Sequence, residues 1–282
     1  MIEIQDVHFR YPRGKDVFEH LSLSLLPGRI YGLLGLNGTG KTTLLKLIAA
    51  LRYPAHGVCS VSGVSSVPRS KAYLEQFFLI PEECVLPPLR VDAYCRLYAP
   101  FYREFSADLF RSILGEFEIQ EQDSISGMSF GTRKKVLIAF ALAARTRVVL
   151  MDEPTNGLDI PSKKQFRKVL AEQISEDRCF VISTHQVRDL GNMLDHLVML
   201  HERQILLDAS VAEIAARVVF EETTEKPQDE ILYMEKNFNG YRVLRRNLKQ
   251  QETPLDTELL FNAALANPKE FRAVLTSKES AL

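Results

Sequence analysis

An α/β fold is the class this sequence predicts, and three observations predict it. Short apolar runs at Ile30–Leu34, Val148–Met151 and Cys179–Ser183 have the length and side chains of buried strands. A glycine-rich turn leads the first of them straight into a stretch of helical periodicity, where Leu44, Leu45, Leu47 and Ile48 recur. At 282 residues, 46% hydrophobic and 25% charged, the chain can bury a large core, as one large domain or as a domain plus an appendage.

From the N-terminus, Val7, Phe9 and Tyr11 alternate on one face of a strand, which gives Tyr11 a core-packing role on pattern alone. The next informative segment is Gly35-Leu36-Asn37-Gly38-Thr39-Gly40-Lys41-Thr42, which fits G-x-x-x-x-G-K-[ST]. Placed between a strand and a helix, this pattern binds a nucleoside triphosphate. Backbone N–H groups surround an anionic phosphate chain only where side chains do not intrude, which is the use of the glycines. The helix N-terminus adds unpaired donors and a partial positive charge. Lys41 brings a full charge to the outer phosphates, and Thr42 a hydroxyl for Mg²⁺.

Further along, Ser129 is a good N-cap, and Val136, Leu137, Phe140, Ala141 and Ala144 mark an apolar helical face. Val148–Met151 runs into Asp152 and Glu153. At such a strand end one carboxylate can hold Mg²⁺ through its water shell, and the next can polarise a water for in-line attack. Two solvated acids at a strand tip are the plain alternative. Cys179–Ser183 leads into Thr184-His185-Gln186. That puts His185 at the sheet edge where α/β active sites lie, with an exposed structural histidine as its rival.

The charge balance is near neutral, with 35 Lys plus Arg against 36 Asp plus Glu, and gives no global reason to expect nucleic acid as a partner. The longest apolar run, Val136–Ala144, is nine residues, against the roughly 20 needed to span a bilayer. Cys59, Cys84, Cys95 and Cys179 are scattered and form no CxxC pair. With no secretory pattern at the start, the expected location is cytoplasmic.

Taken in order, these segments resemble an ATP-binding-cassette (ABC) ATPase over about residues 1 to 215. GLNGTGKT looks like the Walker A loop, VVLMDEPTNGLD like Walker B running into the D-loop, and ISTHQ carries a switch histidine. Met128-Ser129-Phe130-Gly131-Thr132 occupies the place of the LSGGQ signature. The resemblance implies a P-loop NTPase core of mixed β-sheet with flanking helices, and a helical insert at about 84–147. It also implies a head-to-tail dimer, with itself or a homologous cassette, enclosing two ATP molecules.

Residue by residue, ATP would be bound by Gly35, Asn37, Gly38, Thr39, Gly40, Lys41, Thr42 and Thr43, with Tyr11 stacked on adenine. Thr42 and Asp152 would serve Mg²⁺, Glu153 would be the general base, and His185 would sense the γ-phosphate. Ser129 and Gly131 would contact the partner's ATP, and Asp159 would couple the two sites. Two positions depart from the family pattern. The signature has Phe130 and Thr132 for the usual Gly and Gln. Glu82, in Phe78-Leu79-Ile80-Pro81-Glu82, stands where a Mg²⁺-associated glutamine is usual; its carboxylate would still accept a Mg²⁺-bound water, but it adds charge and loses the amide donors.

Residues 216–282 are expected to form a small accessory α+β extension. Glu221–Glu230 is polar and resembles a linker. Ile231–Met234 and Tyr241–Leu244 suggest a hairpin turning at Asn239-Gly240, and Asp256 caps a helix ending before Pro268. The resemblance makes the chain the ATPase subunit of a transporter, peripheral on the cytoplasmic face of the membrane, with a separate integral membrane partner. It leans towards ABC-2-type exporters. A soluble ABC ATPase that remodels a protein or cofactor-assembly complex is the second reading, and a regulator with little turnover the third.

Overall fold

A computed structural model describes residues 1–186, 189–190, 193–227 and 229–276. In chain order the elements are β1 (Ile2–Arg10), β2 (Asp16–Leu25), β3 (Arg29–Gly35), α1 (Lys41–Ile48), β4 (His56–Val61), β5 (Val64–Ser65), α2 (Lys71–Leu74) and β6 (Phe77–Ile80). Helices α3 (Val91–Tyr98), α4 (Ala107–Glu116) and α5 (Phe130–Ala143) follow, then β7 (Val148–Asp152), α6 (Ile160–Ala171) and β8 (Cys179–Ser183). The chain continues through β9 (His196–His201), β10 (Gln204–Ser210), α7 (Val211–Arg217), β11 (Val218–Thr223), β12 (Tyr233–Asn237), β13 (Gly240–Arg246), α8 (Thr257–Ala266) and α9 (Pro268–Thr276).

The central sheet has six strands in the order β10-β9-β3-β8-β7-β6. It is mixed as expected: β9, β3, β8, β7 and β6 are parallel, and β10 runs antiparallel at the edge. Alternate residues of the same strand feed opposite cores, because side chains in a strand alternate between faces. Ile30, Leu34, Met151 and Ile182 join the insert and α5 on one side. Tyr31, Leu33, Leu150 and Val181 join α1 and the antiparallel sheet β2-β1-β4-β5 on the other. The register sets Leu33 beside Ser183, Asp152 beside Ser183, and Ile80 beside Met151. The C-terminal ends of β3, β8, β7 and β6 therefore open on one edge, where α/β proteins hold ligands.

Several expectations are corrected. Helix α5 is buried beyond the expected face: Val136 to Ala143 are all buried, and Lys134 with them. Glu221–Glu230 is not a free linker, since β11 takes in Glu221–Thr223 and Arg245 pairs with both Glu221 and Asp229. The hairpin exists, but Asn237 pairs with Gly240, so the two-residue loop is Phe238-Asn239. The turn sits one residue earlier than expected because Gly240, at φ 141, serves as a strand residue pressed on Thr223 rather than as a turn centre. Asp256 does cap α8, accepting the Leu259 N–H at 3.0 Å. Among the described residues, no helix is long and apolar enough to cross a membrane.

Candidate functional site

The loop from Gly35 to Lys41 is shaped by what cannot fit beside it. A Cβ on Gly35 would lie 2.4 Å from Thr39 Oγ1 and 2.9 Å from the Leu200 carbonyl, so the turn tolerates no side chain there. Gly40 is the N-cap of α1 in the left-handed conformation, φ 106, with the Phe18 ring where its side chain would be. No side chain caps α1. The first-turn amides of Lys41, Thr42 and Thr43 are thus left for an incoming anion, as phosphate binding at a helix N-terminus requires.

Lys41 is buried, and its ammonium donates to the Gly35 carbonyl at 2.8 Å and the Leu36 carbonyl at 3.2 Å. Burial lowers its pKa, while Glu153, Asp152 and Glu82 raise it through their charge. The charges of three acids thus act on the lysine that would meet the outer phosphates.

Thr42 Oγ1 donates to Asp152 Oδ2 at 2.7 Å, and Ser183 Oγ donates to the other Asp152 oxygen. A hydroxyl and a carboxylate held side by side are the hard oxygen donors a Mg²⁺ ion takes. Glu153 follows in a left-handed backbone, φ 46, its N–H held by the Ser183 carbonyl at 3.1 Å. Its Oε1 accepts the His185 N–H at 3.0 Å and lies 2.8 Å from His185 Nδ1. Its Oε2 is buried with no partner among the described residues. A desolvated carboxylate oxygen beside the phosphate loop is placed to take a proton from a water.

The remaining sequence-predicted residues divide. Tyr11 lies just past the end of β1, half-buried, while Val7 and Phe9 are buried in the strand. Its hydroxyl is 3.2 Å from Thr43 Oγ1 on α1, and the Arg52 guanidinium lies 5.8 Å from its ring centroid. Asn37, Gly38 and Thr39 form the loop tip, where Thr39 Oγ1 donates to the Leu36 carbonyl at 2.8 Å. Glu82 is exposed, and its Oε1 accepts a 3.4 Å bond from Asn156, drawing it to the segment after Glu153.

Ser129 caps α5, accepting the Thr132 N–H at 3.1 Å, with Thr132 Oγ1 2.8 Å away. Asp159 caps α6, accepting the Ser162 N–H at 2.9 Å, and bonds from Ser162 lower its pKa. Both residues have a structural task within one chain. Gly131 has one too, because a Cβ there would meet the Gly157 carbonyl at 2.5 Å.

Sequence reasoning passed over Lys134. It is fully buried, and its ammonium donates to the Glu153 carbonyl at 2.8 Å. In a run of three basic residues, Arg133-Lys134-Lys135, nothing in the sequence marks which one turns inward.

Comparison with known proteins gives the family. The family model described as "ABC transporter" matches residues 18–156. The chain is 29% identical over 217 residues to the ABC transporter ATP-binding protein NatA of Bacillus subtilis, covering 73% of this chain and 88% of that protein. It is 28% identical over 232 residues to the SkfA peptide export ATP-binding protein SkfE of the same organism, covering 80% and 93%. A solved ATP-binding subunit of an ABC transporter superposes with a TM-score of 0.70 at 27% identity, covering 76% of this chain and 91% of that one. A dimeric ATP-binding cassette in a post-hydrolysis state with ADP and Pi has the same fold, with a TM-score of 0.67 at 20% identity over 75% and 99%. By these likenesses the chain is a member of the ABC transporter family of ATP-binding cassette ATPases.

Proposed function

We propose that this chain is the motor subunit of an ABC exporter. Two cassettes, identical or homologous, close head to tail around two ATP molecules and drive a separate membrane-spanning partner from its cytoplasmic side. The observation that carries the reading is the joined pair Glu153 and His185, set at the ends of adjacent strands with one buried Glu153 oxygen that has no partner among the described residues.

In this reading the uncapped amides of α1 and the Lys41 ammonium bind the β- and γ-phosphates. Tyr11 stacks on the adenine. Glu153 accepts the proton of the attacking water through Oε2, and His185 fixes the carboxylate through Oε1 and faces the γ-phosphate. Mg²⁺, when bound, would be held by Thr42 and Asp152, with Glu82 near, and would neutralise charge on the phosphates. Ser129 and Gly131 complete the partner's site at the start of α5, and Asp159 joins the two sites.

Export as the direction is supported by SkfE, whose name is that of a peptide export protein. A partner protein is supported by Leu97 and Phe101, two exposed apolar side chains four residues apart on the insert, 53% and 69% accessible.

Affinity purification of the tagged protein from its native host in mild detergent, with partners identified by mass spectrometry, tests the reading. A multi-span integral membrane protein at about one copy per cassette is expected. Recovery alone or with soluble partners would replace the transporter with a soluble remodelling ATPase.

A further inference from the structure

The signature turn and the catalytic loop are packed into one unit within a single subunit. Gly157 lies under the Phe130 ring so closely that a Cβ there would be 2.5 Å from Phe130 Cδ1. Gly131 sits equally close on the Gly157 carbonyl. Behind this contact Lys134 is 0% exposed, with its ammonium 5.2 Å from the Phe130 ring centroid and 2.8 Å from the Glu153 carbonyl oxygen.

A lysine is seldom buried without a task, because taking its charge out of water is costly. Here desolvation lowers its pKa, and the nearby charges of Glu82, Asp152 and Glu153 work against that. Glu153 needs holding. It is not a glycine, yet its backbone is left-handed at φ 46, a conformation that persists only where the surroundings fix it. The Lys134 ammonium takes the carbonyl of that strained residue, while Ser183 takes its N–H and His185 its side chain.

We propose that Lys134 is a positioning residue for Glu153, and that the Phe130–Lys134–Glu153 stack links the signature turn of each subunit to that subunit's own hydrolytic carboxylate. The inference rests on the proposed roles of Glu153 as base and of the signature turn as the partner's phosphate contact. Engagement of the partner's ATP by one end of the stack then sets the carboxylate at the other. The two sites of a dimer are thereby connected through each subunit as well as across the interface.

The test uses the full-length protein under conditions where the wild type turns over. It compares Lys134→Met, Lys134→Gln and Phe130→Ala, each alone and combined with Glu153→Gln. Met removes the donor while keeping the length, and Gln keeps a donor without the charge. Lys134→Met is expected to lower kcat by about 10- to 100-fold, the scale of a small misplacement of a reacting group, with ATP affinity within about twofold of wild type. Lys134→Gln should recover most of that loss. In the Glu153→Gln background, single-turnover hydrolysis should show no further loss from Lys134→Met, since both act through one carboxylate.

Unchanged kcat in Lys134→Met, or a loss that multiplies with Glu153→Gln, would overturn the positioning role. Phe130 is 38% exposed, so Phe130→Ala should fold even if the lysine variants do not. It should lower kcat without weakening ATP binding, again with no added effect on Glu153→Gln, and a wild-type kcat would break the proposed link. Should Glu153→Gln alone hydrolyse ATP normally, the general-base reading fails instead, and the two failures are told apart.

Discussion

Glu153 has two carboxylate oxygens in different surroundings, and the difference defines what the residue can do. Oε1 is tied to the backbone and ring of His185, while Oε2 is buried and unbonded among the described residues. Glu153→Gln keeps the shape but removes the base. It should bind ATP, hydrolyse it at least about 100-fold more slowly, and accumulate as an ATP-bound dimer. Rapid-quench hydrolysis together with light scattering at saturating ATP checks both parts, and a monomer there would argue against the enclosed-nucleotide dimer. His185→Ala should leave Glu153 in place through its remaining backbone bond to residue 185, because that N–H is not part of the ring. Turnover should fall with ATP affinity nearly intact. Equal losses in kcat and affinity would instead mean that the ring holds the loop together.

At the scale of elements, the sequence made legible whatever depends on local rules. Strands β7 and β8, the glycine loop, and the caps at Ser129 and Asp256 all lie where apolar runs and side-chain oxygens predicted them. What was not legible depends on long-range packing. Nothing local shows that Lys134 turns into the core, that Arg245 draws Glu221 and Asp229 out of a linker, or that Gly131 packs on the Gly157 carbonyl. Local rules also carry a titration. At the start of α7, Ser210 and Glu213 form a capping box, and bonds from the Ser210 backbone and hydroxyl lower the Glu213 pKa from 4.5. A carboxylate with a depressed folded pKa stabilises the fold in full above pH 4.5 and loses that effect as pH falls through the folded value. Glu213→Gln keeps the box but loses the charge at the helix N-terminus, so it should cost about 0.3 kcal/mol at pH 7 after solvent screening, and progressively less below pH 4.5. Denaturant midpoints for the two proteins from pH 7 to pH 3 should converge, and a constant gap would remove the ionised carboxylate from the cap.

At the scale of the whole molecule, the question is whether the C-terminal extension is a separate unit or part of the cassette's core. Val218, Leu244, Leu260, Ala264 and Phe271 are buried in the same cluster that contains α5, β7 and the helical insert. Helix α9 returns to pack on α7 and β10, the strand that edges the central sheet. Arg272 reaches that strand directly, donating to the Ile205 carbonyl at 2.7 Å. A continuous core of this kind unfolds cooperatively, since neither part keeps its buried surface when the other is lost. Leu260, fully buried on α8, gives the sharpest probe. Leu260→Ala should cost about 2–5 kcal/mol through lost burial and a residual cavity. That cost should lower a single melting transition rather than a minor early one. ATP binds only the folded cassette, so saturating nucleotide should raise the same transition in wild type and variant alike. Calorimetry with and without ATP decides it. If Leu260→Ala created a second transition that ATP left unmoved, the extension would be an independent module, free to move on the cassette.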